Sequence, residues 1–195
     1  MLLLSLPVYG DTLETTDIDA LLAEATEGDA IAQFNLGMAY AYPLDYENVE
    51  PDFEKAVEWF TKAADQGHVD AQFYLGQCYR AGNGVEPDFE KAVEWYTKAA
   101  DQGHAPAQSI LGVCYEMGNG VAKDLEKAVE WYTKAADQGY ASAQYSLGLC
   151  YENGKGVAID KEKALEWYTK AVESAKPGPY VQAQTRMNKL QASLK

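Results

Sequence analysis

Three sets of side chains in this sequence could bind a metal or move a proton: His68 and His104, then Cys78, Cys114 and Cys150, then a long series of glutamates. The two histidines lie 36 residues apart, and so do successive cysteines. Zinc takes ligands clustered at spacings such as Cys-x-x-Cys, and no such pair occurs. An odd number of cysteines, one per period, also argues against a disulfide framework. Each cysteine reads as a small apolar residue buried on a helix. Stacked helices pack roughly 8–10 Å apart, too far for His68 and His104 to share one ion, so both read as loop histidines. Glu54, Glu90 and Glu126, with Glu58, Glu94 and Glu130, resemble the paired carboxylates of acid–base catalysis. Each has a lysine near it on the same helix, which makes a solvated charged face the better reading. Gly82-Asn83-Gly84 looks like a phosphate cradle, but it follows a helix rather than a strand and recurs with the period. No catalytic, cofactor-binding or metal-binding residue is assigned, and the expected cofactor is none.

The positions that repeat also define the elements. Trp59, Trp95, Trp131 and Trp167 recur at an interval of 36, as do Ala71-Gln72, Ala107-Gln108 and Ala143-Gln144, and Leu75-Gly76, Leu111-Gly112 and Leu147-Gly148. Residues 52–87 and 88–123 are identical at 26 of 36 positions. A worn copy precedes them at Gly28, Ala32-Gln33, Leu36-Gly37 and Tyr40, and Ala183-Gln184 echoes them after Lys176-Pro177-Gly178-Pro179. Each unit reads as two helices. In the first, Phe53, Ala56, Val57, Trp59, Phe60, Ala63 and Ala64 form a wide apolar arc at helical spacing. Asp52, Asp88, Asp124 and Asp160 stand where N-caps belong, and Glu58→Lys62 with its copies gives i,i+4 pairs. Gln66-Gly67 stops this helix. The second starts near 69, 105 or 141 and ends at Gly82, Gly118 or Gly154. Gly76, Gly112 and Gly148 each cost about 1 kcal/mol of helix propensity, so their recurrence implies close approach by a neighbouring helix.

No single hairpin buries so wide an arc, so neighbours must stack. The expectation is an all-α fold, an α/α superhelix of five helix-turn-helix repeats, with units at about 12–51, 52–87, 88–123, 124–159 and 160–195. The central three are near-identical 36-residue units, and a polar last helix near Tyr180–Leu194 acts as the cap. Residues 12–195 then form a single repeat domain. Residues 1–11 are an apolar segment resembling the end of a secretory h-region without a basic n-region. The sequence as it stands is expected to be cytoplasmic; a start upstream of Met1 would make it periplasmic or secreted. A formal net charge of −14 disfavours nucleic acid, and no apolar run approaches the roughly 18 residues of a membrane span.

The unit Lys-Ala-x-x-Trp-Tyr-x-Lys-Ala-Ala-x-x-Gly, followed by Ala-x-Ala-Gln-x-x-Leu-Gly-x-x-Tyr-x-x-Gly-x-Gly-Val, resembles the Sel-one-like repeat (SLR), a tetratricopeptide-like motif. The resemblance implies an α/α superhelix acting as a protein-binding adaptor or scaffold, commonly in bacterial cell-envelope or signalling processes. Cysteine-rich members carry two cysteines and a disulfide per repeat; this chain has one cysteine per unit, which departs from that subgroup. Members of that subgroup have been linked to penicillin binding, yet Ser-x-x-Lys and Lys-Thr-Gly are both missing from the sequence. The reading is a non-enzymatic scaffold for a protein or peptide, without nucleic acid or membrane insertion. The alternative is a cell-wall-related or penicillin-interacting hydrolase.

Differences among the copies concentrate on the second helix, at 70, 73, 74, 77, 80 and 81 and their equivalents, a stripe at i, i+3, i+4 and i+7. It holds Phe73, Tyr74, Gln77 and Arg80, then Ser109, Ile110, Val113 and Glu116, then Tyr145, Ser146, Leu149 and Glu152. Phe73, Tyr74, Gln77, Ile110, Val113, Tyr145 and Leu149 are the candidate partner-binding residues, since aromatic and apolar anchors dominate binding surfaces. Two alternatives stand beside this. The stripe fits unequal gaps between repeats, or the first-helix Glu/Lys ladder lines a concave acidic groove that takes a basic peptide.

Overall fold

A computed structural model describes residues 18–43, 50–175 and 181–193. The apolar stretch Met1–Gly10 and the connection Lys176-Pro177-Gly178-Pro179 lie outside them. Among the described residues there are ten helices and no strand: α1 (Ile18–Thr26), α2 (Ala30–Ala41), α3 (Phe53–Asp65), α4 (Val69–Ala81), α5 (Phe89–Asp101), α6 (Ala105–Met117), α7 (Leu125–Asp137), α8 (Ala141–Asn153), α9 (Lys161–Ser174) and α10 (Val181–Ser193). Each helix packs on its neighbours in the chain, as expected of a repeat solenoid. The most extensive pairings are α2 with α3, α4 with α5, α6 with α7 and α8 with α9, each joining a second helix to the first helix of the following unit.

The caps explain where these helices begin. Asp52, Asp88, Asp124 and Asp160 accept hydrogen bonds from the backbone N–H of Lys55, Lys91, Lys127 and Lys163 at 2.9–3.0 Å. Gly82, Gly118 and Gly154 end α4, α6 and α8 in the left-handed region, where glycine pays no Cβ penalty. The i,i+4 pairs expected of Glu58→Lys62 and its copies do not form among the described ion pairs. Instead the Nζ of Lys62, Lys98, Lys134 and Lys170 sits over the ring of Trp59, Trp95, Trp131 and Trp167, 3.5–4.0 Å from the centroid. A buried or half-buried indole face three residues away holds an ammonium better than a solvated glutamate does.

The Leu-Gly glycines close the tight pairings. A Cβ on Gly112 would fall 2.4 Å from the Tyr132 ring, and one on Gly37, Gly76 or Gly148 would fall 2.5–2.7 Å from Phe60, Tyr96 or Tyr168. Those four rings are the largest fully buried side chains, alongside Leu36, Leu75, Leu111 and Leu147. The close approach is that of a ring over the glycine backbone.

A ladder of buried glutamines crosses the same junctions. The Nε2 atoms of Gln33, Gln72, Gln108 and Gln144 donate to the carbonyls of Ala25, Ala64, Ala100 and Ala136. The Oε1 atoms of Gln33, Gln72 and Gln108 accept from the Nε2 of Gln66, Gln102 and Gln138 at 2.7–2.8 Å. Ser174 stands where the next donor would be, and the buried Oε1 of Gln144 has no partner among the described residues.

The histidines stand in the connections, as expected, and there they cap the helices that follow. The Nδ1 atoms of His68 and His104 accept from the N–H of Ala71 and Ala107 at 3.2 Å, and His104 Nε2 lies 3.3 Å from Asp70 Oδ1. In the first copy Asp29 does the same for Ala32. A protonated Nδ1 cannot accept, so each cap requires a neutral ring with the proton on Nε2. Burial against Phe34, stacked on it at 4.7 Å, lowers the His68 pKa below its ordinary 6.5. The unfolded chain therefore takes up the proton first. This contribution is complete above about pH 6.5 and declines as pH falls toward the folded value. Thermal melts from pH 7.5 to 5 should show His68→Asp, which keeps a cap without titrating in that window, losing less Tm than the native chain. A cap is worth about 1 kcal/mol. Equal losses in the two proteins would refute the assignment.

Candidate functional site

The candidate residues all lie on the second helices, facing the row of tight junctions. Phe73, Tyr74, Gln77, Ile110, Tyr145 and Leu149 are half-buried; Val113 is exposed. Phe73 packs on Tyr96 at 6.0 Å and on His104 at 4.7 Å, Tyr74 on Phe60 at 5.8 Å, and Tyr145 on Tyr168 at 5.7 Å. The structure thus brings Phe73 and Tyr145 onto the first helix of the following unit and Tyr74 onto the first helix of its own, and the stripe runs along the solenoid as a row.

Divergence along the row follows one chemical rule. Tyr96 donates its hydroxyl to Gln77 Oε1 at 3.0 Å, Tyr132 to Glu116 Oε2 at 2.8 Å and Tyr168 to Glu152 Oε2 at 2.5 Å. Where position 77 carries Gln, that residue is the acceptor. Where its equivalents are Val113 and Leu149, a glutamate one turn on takes over. In the first copy the ring is Phe60, with no hydroxyl, and the matching positions are the apolar Met38 and Ala41. A buried phenol without an acceptor costs about 1–3 kcal/mol, which ties the variable positions to the ring opposite them. Burial pushes the Tyr96 phenol up to about 12, and it pushes Tyr132 and Tyr168 well above the ordinary range, with the facing glutamates adding to the shift. Burial alone would raise Glu116. Hydrogen bonds from Lys155 and Tyr132 outweigh it and hold this carboxyl below its ordinary range.

Along this row the repeats are stitched by ion pairs, Lys155 Nζ to Glu116 at 2.7 Å and Arg186 to Glu152 at 3.2 Å. At the junction of α4, α5 and α6 the pattern breaks. Arg80 stands where the glutamates stand elsewhere, and it borders an open cleft of about 320 Å³ shared with Phe89, Tyr96, Ile110, Val113 and Asn119. Phe89 is 47% exposed, Val113 41% and Met117, one turn beyond Val113, 65%. Phe89 and Met117 were not among the candidate partner-binding residues: Phe89 belongs to the nearly invariant first helix, and Met117, the equivalent of position 81, sits at the edge of the stripe. The pairing of tyrosine with its acceptor was readable in the sequence, since Phe60 coincides with Met38 and Ala41.

The cysteines supply no chemistry here. Cys78, Cys114 and Cys150 are free and buried, and burial pushes the thiols of Cys78 and Cys150 up to about 11. Among the described residues no group of histidines, cysteines and carboxylates is placed to hold a metal ion.

Stacked helix pairs with a continuous lateral row define an α/α repeat protein. The Sel1 repeat family model matches residues 30–68, 69–104, 105–140 and 141–175, and its frame coincides with the tight pairings of second helix on following first helix. The chain belongs to the Sel1 repeat family. It is similar to a protective antigen of uropathogenic Escherichia coli displaying an SLR fold, with 38% identity and a TM-score of 0.85 over 91% of this chain and 37% of that one. A Sel1 repeat protein from Oxalobacter formigenes is 32% identical, with a TM-score of 0.76 over 91% of this chain and 67% of that one. The ERAD-associated E3 ubiquitin-protein ligase component HRD3A of Arabidopsis thaliana is 35% identical over 71 residues, 36% of this chain and 10% of that protein. The chain therefore spans only a small part of that curated relative and little more than a third of the Escherichia coli antigen. Sel1 repeat proteins are generally protein-interaction scaffolds, typically without enzymatic activity.

Proposed function

We propose that this chain is a non-enzymatic scaffold whose second-helix row presents a surface to a protein or peptide partner, without a cofactor and without nucleic acid as a ligand. One observation carries the reading. Phe89, Val113 and Met117, on a strongly acidic chain, leave an apolar patch at the α5–α6 junction. Grouped exposed apolar side chains on a charged surface mark interaction sites. Phe73, Tyr74 and Tyr145 brace the row from beneath, and Val113 is the candidate residue most open to a partner. No helix among the described residues is long and apolar enough to cross a membrane. The family match lends no support to the hydrolase alternative.

Because Phe73 and Tyr145 also pack the core, the informative substitutions are Val113→Lys with Met117→Lys. A partner captured from the native cell and identified by mass spectrometry is purified, and its affinity for both forms is measured. The double variant should keep its helicity and bind at least about tenfold more weakly, the scale of one lost apolar anchor. Unchanged affinity would refute this surface.

A further inference from the structure

Positions 80, 116 and 152 are equivalent along the row, and at the last two the residue is a glutamate closed in an ion pair. Glu116 on α6 meets Lys155, beyond the end of α8; Glu152 on α8 meets Arg186 on α10. One period before Glu116 and Lys155 stand Arg80 and Asn119, which cannot form an ion pair with each other. Arg80 Nε donates to Gln77 Oε1 at 3.0 Å, its guanidinium also reaches the Tyr96 hydroxyl, and no carboxylate among the described residues pairs with it. Both residues border the cleft of about 320 Å³ whose remaining wall includes Phe89, Ile110 and Val113. The next copy replaces these three with Leu125, Ser146 and Leu149. This cleft is thus larger in aromatic surface, and a cation stands at its rim in place of the closed Glu–Lys pair.

We infer that this cleft is a binding site for a glutamate side chain of a partner protein flanked by aliphatic residues, the carboxylate taking on Arg80 the place that Glu116 takes on Lys155. The inference deepens the scaffold reading and rests on it. Charge selects the occupant. One guanidinium with open donor sites binds one carboxylate bidentately, while a net charge of −14 repels heavily acidic segments. Phe89, Ile110 and Val113 accept the flanking aliphatic side chains, and the Asn119 amide is a further donor on the cleft wall.

The test titrates the ¹⁵N-labelled full chain with acetyl-Gly-Leu-Glu-Leu-Gly-amide, with its Gln counterpart, and with the Gln counterpart bearing a free C-terminal carboxylate. Saturable amide shifts confined to residues 80, 89–96 and 110–119 are expected with the Glu peptide, and both Gln peptides should bind at least about fivefold more weakly. Arg80→Gln should abolish the preference. Arg80→Glu combined with Asn119→Lys rebuilds the pair of the next copy, so it should close the site to the Glu peptide and raise Tm. Equal binding of the Glu and amidated Gln peptides, tighter binding of the free C-terminus, shifts elsewhere, or Glu-dependent binding that survives in the double variant would each overturn the inference. If partner capture depends on Val113 and Met117 yet is indifferent to Arg80→Gln, the scaffold stands and this site falls.

Discussion

Gly120→Ala is expected to cost about 2–5 kcal/mol, the sum of left-handed strain of about 1–2 kcal/mol and overpacking of about 1–3 kcal/mol. Gly120 has φ +71°, and a Cβ there would lie 2.1 Å from the carbonyl oxygen of Phe89. That neighbour is backbone at the start of α5 and cannot swing aside. The loop after each second helix folds back onto the first helix of its own unit, so the clash would pry the two apart. Gly139→Ala is the control. It has φ +83° with nothing within 4 Å of the added carbon, so only the strain of about 1–2 kcal/mol applies. Guanidinium unfolding should place the two variants at least about 1 kcal/mol apart. Equal losses would mean that the loop does not seat on α5 as described.

The second large effect is expected at the glutamine ladder. Gln108→Ala removes the donor to the Ala100 carbonyl at 2.9 Å and the acceptor for Gln138 Nε2 at 2.7 Å. Leaving the buried Ala100 carbonyl unmatched costs about 1–3 kcal/mol, and the bond lost by the exposed Gln138 amide adds about 0.5–1.5 kcal/mol, so a loss of about 1.5–4.5 kcal/mol is predicted. Gln144→Ala should cost roughly half as much, because its Nε2 bonds to the Ala136 carbonyl at 3.1 Å while its Oε1 has no described partner. The comparison separates hydrogen bonding from loss of side-chain volume, which is the same in both. A Gln144→Ala variant as damaged as Gln108→Ala would remove the ladder from the account.

Much of this architecture was legible because a strict period repeats the apolar arc, the Asp caps and the helical glycines together. A cost of helix propensity paid in every copy signalled close packing, and the structure locates it at the rings of Phe60, Tyr96, Tyr132 and Tyr168. What escaped the sequence was competition among partners that share the same spacing. Lys62 reaches Glu58 and Trp59 equally well from its helix, and only the three-dimensional setting of the buried ring shows that the indole wins. His68 and His104 precede helices at the place where Asp29 does, yet imidazole is an uncommon cap, so their position alone did not identify the role. The stripe was visible as divergence. The structure adds that divergence follows the hydroxyl of the tyrosine opposite, and that at Arg80 and Asn119 it leaves a cleft without the ion pair of the later copies.

The central claim is that the row of junctions is modular, each helix leaning on its chain neighbours. Equilibrium unfolding of a chain lacking residues 105–140 tests it most directly, since that deletion joins His104 to Ala141 in the same register and removes one whole period. A shorter solenoid should keep its helicity per residue and unfold in one transition, with an m-value lower by about a fifth in proportion to the surface removed. A disordered or aggregated product would contradict the account, because it would mean that distant repeats hold one another in place.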